Sequence, residues 1–211
     1  MAQHPIKHVW FDMDGTLGVH TPEYDKAHNK LRYATYSEVV KKPVTTELIE
    51  EYEAIYKREG TNSAVFRSLG LPSHYWMDRF DKLDKSLYYR PIPAVYGTLE
   101  KLKDIVPISL FTNDSVMGTE KTLKVIAVEK EWFTHIITGD MVKERKPNLE
   151  GYNLVITKTE IPENDILYVG DRVKADVLPA RAVGMQTCLV WSKSEEADYS
   201  FEKFEDLLSL F

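Results

Sequence analysis

Five short apolar runs set the limits on what this chain can fold into. They are Ile6–Phe11, Val106–Phe111, His135–Thr138, Ile166–Val169 and Thr187–Trp191. Runs this short, bounded by polar turns, read as strands buried on both faces. Helical spacing between the later runs places helices at about 94–104, 116–128, 148–158 and 174–183. A terminal amphipathic helix is expected over Ser200–Phe211. Strands alternating with helices specify an α/β fold, a doubly wound, three-layer, Rossmann-like parallel sheet with helices on both faces. Such sheets hold their ligands in the crevice outside the carboxyl ends of the strands. The residues that follow each apolar run are therefore the ones to read for chemistry.

Residues 18–90 interrupt this alternation. Pro22 opens a helix over 22–41 with Tyr24, Ala27, Leu31 and Ala34 on one face. Residues 46–59 put Leu48, Ile49, Tyr52, Ile55 and Tyr56 on one face and stop at Gly60. A shorter helix is expected over 63–69. Trp76, Phe80, Leu83 and Leu87, spaced four, three and four apart, suggest another from about Ser73 to Leu87. No strand is expected in this block, and Pro91-Ile92-Pro93 marks the return. The organisation is an α/β core of 1–17 and 91–211 around an all-helical insert, 18–90. Helical spacing assigns most of the insert's aromatic residues to its own core, with a few left to line a substrate pocket. His20 and His28 read as structural before substrate-facing.

Composition excludes several classes. A net charge of −6 argues against a nucleic-acid partner held by a basic face. Within 18–90 there are 12 Lys and Arg against 11 Asp and Glu, so the acidic excess lies in the rest of the chain. Cys188 is the sole cysteine, which rules out an internal disulfide and cysteine–zinc motifs; it reads as a small buried strand residue. No stretch is apolar enough for a signal region or a membrane span, so the cytoplasm is the expected compartment.

Four strand ends carry polar groups. The first run ends in Asp12-Met13-Asp14-Gly15-Thr16, two carboxylates one residue apart that repel each other unless a cation or proton lies between them. Hard oxygen ligands of this kind suit Mg²⁺. The second ends in Thr112-Asn113-Asp114, able to bind an anionic oxygen or simply to turn the chain. Lys146, just before Pro147, either reaches into a cleft from extended backbone or is solvated in its charged loop. The fourth gives Gly170-Asp171 and then Asp176, with Gly170 permitting a tight turn and Asp176 open to a helix-capping role.

Taken in order, Asp12-Met13-Asp14-Gly15-Thr16, Thr112-Asn113, Lys146-Pro147 and Gly170-Asp171 with Asp176 resemble the motifs of the haloacid dehalogenase superfamily. The resemblance spans nearly the whole chain and is greatest to the subfamily with a helical cap inserted after the first motif. It implies a five-stranded parallel core with the Asp12 strand in the middle, and residues 18–90 as the cap, hinged near Gly18 and Pro91–Pro93. Two positions depart from the pattern: Leu149 stands where a second proline is common, and Arg172 where a small polar residue is frequent.

The resemblance also implies roles. Asp12 is the nucleophile that forms an aspartyl-phosphate, and Asp14 protonates the leaving oxygen and then activates water. Mg²⁺ is held by the Asp12 and Asp171 side chains and the Asp14 carbonyl. Lys146 and the Thr112 hydroxyl stabilise the phosphoryl charge, with Asn113 beside them at the phosphate. Asp176 orients Lys146 or a metal-bound water. Arg172 is expected to point to solvent. The family's dehalogenases lack the second carboxylate that Asp14 supplies, which favours a Mg²⁺-dependent phosphatase of a small phosphorylated metabolite such as a sugar phosphate, phosphoglycolate or a nucleoside monophosphate. The alternatives are a phosphomutase of the β-phosphoglucomutase type and a catalytically silent binding module.

Overall fold

The computed structural model describes residues 4–211, and the chain divides into two compact units. One runs to His20 and resumes over Tyr89–Phe211; the other is Thr21–Tyr88. In chain order the first unit contains β1 (His8–Phe11), β2 (Val19–His20), β3 (Tyr89–Arg90), α5 (Pro93–Leu102), β4 (Ile108–Phe111) and α6 (Val116–Val125). It continues with β5 (Phe133–Ile137), α7 (Leu149–Thr159), β6 (Ile166–Gly170), α8 (Leu178–Ala182), β7 (Gln186–Val190) and β8 (Tyr199–Phe201). The second unit holds α1 (Pro22–Val40), α2 (Thr46–Glu59), α3 (Asn62–Ser68) and α4 (Met77–Phe80).

Six strands form one parallel sheet in the order β5-β4-β1-β6-β7-β8. The chain builds β4 and β5 on one side of β1, then crosses back to β6 on the other, which makes the carboxyl end of β1 the switch point of the sheet. Side chains of β1 alternate between its faces. Val9 and Phe11 join Val95, Leu99 and Leu123 from α5 and α6; Trp10 joins Phe111, Tyr152, Val155 and Ala180 on the side of α7 and α8. Both faces are covered, which explains why these strands are apolar throughout.

The sixth strand corrects the five-stranded expectation. The segment expected as a terminal helix over Ser200–Phe211 begins instead with β8 and ends in a 3₁₀ turn, Phe204–Leu210. Eight residues separate β7 from β8, too few for a helical crossover. Asp198 holds the join: its Oδ2 accepts the Thr187 N–H and hydroxyl, each at 2.8 Å, and its own N–H donates to Thr187 Oγ1 at 3.1 Å. Phe204 and Leu207 then bury their side chains against the α5 side of the sheet.

The insert boundaries also shift. Gly18 to His20 and Tyr89–Arg90 belong to the first unit, because Val19 pairs with Arg90 and His20 with Tyr89 in an antiparallel ribbon, a pair of strands where none was expected. In the second unit, Thr45 and Thr61 cap α2 and α3 by accepting the N–H groups of Leu48 and Ala64. The helix expected over Ser73–Leu87 is present only as α4 and a 3₁₀ turn at Lys85–Tyr88. Leu87 is 70% exposed, so its helical spacing reflects no buried face. The Ser86 hydroxyl bonds Asp84 at 2.5 Å, a local contact of the kind that competes with helix. Tyr36, Leu48, Tyr52, Val65, Phe66 and Trp76 form the core of this unit.

Candidate active site

The first motif leaves β1 with its backbone still paired, the Asp12 N–H donating to Val169 O of β6 at 2.9 Å. The chain then folds back on itself: Leu17 N–H reaches Met13 O at 2.9 Å and Gly15 N–H reaches Gly18 O at 2.9 Å. Gly15 is required here. Its φ of +89° disfavours any side chain, and a Cβ would lie 2.4 Å from Asp171 Oδ2. Thr16 bridges the two strand ends, its hydroxyl 3.3 Å from Asp12 Oδ2 and 3.2 Å from Asp171 Oδ1. The Trp191 indole N–H caps the turn at Thr16 O, 3.2 Å away.

Lys146 enters the same space from the loop after β5. Asn113, at the end of β4, grips its backbone in both directions: Lys146 N–H donates to Asn113 Oδ1 at 2.7 Å, and Asn113 Nδ2 donates to Lys146 O at 3.1 Å. The buried ammonium then reaches Asp12 Oδ1 at 2.5 Å, Asp176 Oδ1 at 3.0 Å, Tyr168 OH at 3.0 Å and Phe111 O at 3.2 Å. Asp176 is lifted into this network by a π-helical turn, Val173–Val177, where a regular helix was expected. A Cβ on Gly170 would meet Asp176 Cβ at 2.3 Å, so Gly170 serves close approach rather than a left-handed turn.

Carboxylate oxygens of Asp12, Asp171 and Asp176 lie within 4.8 Å of one another. Burial pushes the Asp12 carboxyl up to about 7; Lys146 pulls it down, and Asp176 adds to the rise. Burial, then Asp176, raises Asp171 as well. Burial opposes the charge of Lys146, but Asp12 and Asp176 outweigh it and hold the ammonium above the ordinary lysine range. Three crowded carboxylates thus share one buried ammonium and the half-exposed Arg172, whose Nε is 3.6 Å from Asp176 Oδ2 and 3.9 Å from Asp171 Oδ1. Such an oxygen set with excess negative charge fits a hard divalent cation.

The expected site residues are not all in one contact network. Asp12, Lys146, Asp171 and Asp176 converge, with Asn113 behind Lys146. The Asp14 side chain is directed elsewhere, to the hydroxyl of Tyr89. Thr112 is fully buried and its hydroxyl oxygen accepts the Asp114 N–H at 3.1 Å. Thr16, Tyr168 and Tyr89 were not expected at the site. Thr16 lies inside the quoted motif, but Tyr168 is hidden in an apolar strand and Tyr89 lies within the stretch expected as insert, where no local signal marks either.

The protein is a doubly wound α/β protein with carboxylates and a buried lysine gathered at the switch point of its sheet. A family model described as haloacid dehalogenase-like hydrolase matches residues 9–190, and the chain belongs to that family as a phosphatase-like member. It is 27% identical over 199 residues to a phosphoglycolate phosphatase of Vibrio parahaemolyticus, covering 87% of this chain and 83% of that one. A glyceraldehyde 3-phosphate phosphatase of Pyrococcus abyssi is 27% identical over 206 residues, covering 89% and 82%. Among solved structures, a haloacid dehalogenase-type phosphatase from Thermococcus onnurineus shares the fold with a TM-score of 0.69 at 21% identity, covering 97% of each chain. Among the described residues no helix is long and apolar enough to cross a membrane.

Proposed function

We propose that this protein is a Mg²⁺-dependent phosphatase of a small phosphorylated metabolite, acting through an aspartyl-phosphate on Asp12. The observation that carries the reading is the buried Lys146–Asp12 contact, set among the carboxylates of Asp171 and Asp176 at the sheet's switch point. Lys146 restrains Asp12 on one oxygen while Thr16 holds the other, so the carboxylate is presented in one orientation. Lys146 neutralises charge gathering on the phosphoryl oxygens, and the Thr112 hydroxyl and Asn113 add hydrogen bonds to them. Asp14 gives its proton to the departing ester oxygen and then takes one from water. Asp12, Asp171 and the backbone of Asp14 would hold Mg²⁺, with Asp176 adjacent, and a cation bound there would supply further neutralisation of phosphate charge. The helical unit Thr21–Tyr88 serves as the cap that selects substrate. The names of the two relatives support a short-chain phosphate such as phosphoglycolate or glyceraldehyde 3-phosphate.

The test is release of inorganic phosphate from a panel of phosphorylated metabolites, with and without Mg²⁺, by the parent and Asp12→Asn. Mg²⁺-dependent release by the parent, abolished in the variant with its melting transition retained, is the expected result. Equal turnover by both proteins removes Asp12 from the nucleophile role. Transfer of phosphate to another position of the same sugar, with none released, points to a mutase instead.

A further inference from the structure

Tyr89 is the first residue of the chain to rejoin the first unit, at the head of β3. It is 1% exposed, yet its hydroxyl is not spent on backbone: it donates to Asp14 Oδ1. The ring is held by close neighbours. A Cβ on Gly18 would meet Tyr89 Cδ1 at 2.6 Å, so the absent side chain at residue 18 is what lets the ring lie there. The His20 ring packs against it at an angle of 57° with centroids 4.4 Å apart. The β2–β3 pairing of His20 with Tyr89 holds the two together. A phenol clamped this tightly and aimed at a half-buried carboxylate is a preorganised donor, since it pays little further ordering cost when charge develops on its acceptor.

We propose that Tyr89 is a positioning residue for Asp14, fixing its rotamer through Oδ1 and stabilising the carboxylate left behind when Asp14 gives up its proton to the leaving group. The inference rests on Asp14 being the general acid. In that step the Asp12 carboxylate oxygen forms a bond to phosphorus, the P–O bond to the ester oxygen breaks, and the Asp14 proton passes to that oxygen. Tyr89 keeps its own proton throughout and holds it toward the new anion. Its contribution therefore matters in proportion to how much the leaving oxygen needs a proton.

The experiment compares kcat/KM for an alkyl phosphate (glycerol phosphate) and an aryl phosphate (p-nitrophenyl phosphate) in the parent, Tyr89→Phe and Asp14→Asn. Phe keeps the ring against Gly18 and His20, and melting curves check that the fold is retained. For Tyr89→Phe the expected loss is roughly 10- to 100-fold on the alkyl ester, the span of one hydrogen bond to a charged group, and under about threefold on the aryl ester, whose phenolate leaves without a proton. An equal loss on both esters would mean that Tyr89 only packs and overturns the proposal, as would no loss on either. Asp14→Asn separates the two readings. If it shows the same leaving-group selectivity, more strongly, the acid assignment stands whatever Tyr89 does; if it leaves the alkyl ester unaffected, Asp14 is not the acid and the proposal falls with it.

Discussion

Lys146 is the residue on which the charge balance of the site turns. Its ammonium is fully buried between Asp12 and Asp176, so deleting it leaves Asp12 without its counter-ion and Asp176 with only the half-exposed Arg172. Breaking a buried pair in this way costs about 3–5 kcal/mol. Lys146→Met should therefore lose that much stability in urea melts without divalent cation. Because a cation can take over part of the neutralisation, Mg²⁺ should raise the midpoint of the variant more than that of the parent; an equal rise in both would contradict the crowded-carboxylate picture. Gly15 offers a second residue-scale check. Gly15→Ala must adopt φ near +89° and push Asp171 away by contact at 2.4 Å, so we expect kcat/KM to fall on the order of 100-fold, the usual consequence of ångström misplacement. Activity within threefold of the parent would show that Asp171 tolerates the displacement.

At the scale of elements, β1 and β7 each carry a device outside the site. His8 on β1 bonds the Ser109 hydroxyl of β4 at 2.8 Å and stacks on Trp10 and His135. Burial first, then the neighbouring His135, lowers its pKa from the ordinary 6.5 to about 4. The unfolded chain then takes up a proton between pH 6.5 and 4 that the folded chain refuses, so stability is full above 6.5 and falls as pH drops through that window. Allowing for partial solvent screening, this amounts to about 2 kcal/mol. His8→Gln should show a flatter pH dependence of its melting midpoint between pH 7 and 4.5; an unchanged slope would mean that His8 is not the group responsible. On β7, Thr187 is tied to Asp198 through three hydrogen bonds. Asp198→Ala should cost about 1–3 kcal/mol and speed amide exchange at Thr187 while leaving β1 protected. These bonds also explain why the tail was expected to be helical. A three-residue edge strand is held by backbone and by one Asp, neither of which leaves a periodic apolar trace in residues 199–211.

For the molecule as a whole, a cation that binds only the folded form must stabilise it. With Mg²⁺ at 100 times its dissociation constant the gain is about 2.7 kcal/mol. Chelator should remove it in the parent, and Asp171→Asn should show little of it in either condition; a chelator-insensitive midpoint would argue against a divalent site among Asp12, Asp171 and Asp176. The α/β class, the helical character of the insert and the family were legible from residue order alone. Apolar runs and the polar residues straight after them are local signals, and Asp12, Asp14, Thr112 and Asp171 stand at such places, while Lys146 is marked only by the proline that follows it in the loop after β5. Which partners these groups find was decided only by the tertiary structure. Lys146 and Asp12 are 134 residues apart and Tyr89 and Asp14 are 75 apart. The strand order β5-β4-β1-β6 and the pairing of β2 with β3 bring them into contact, and no local pattern encodes either. Side-chain period reports which face a residue presents; it carries no information on which distant segment will lie against that face, and that is why Tyr168, Tyr89 and the sixth strand became visible only once the sheet was assembled.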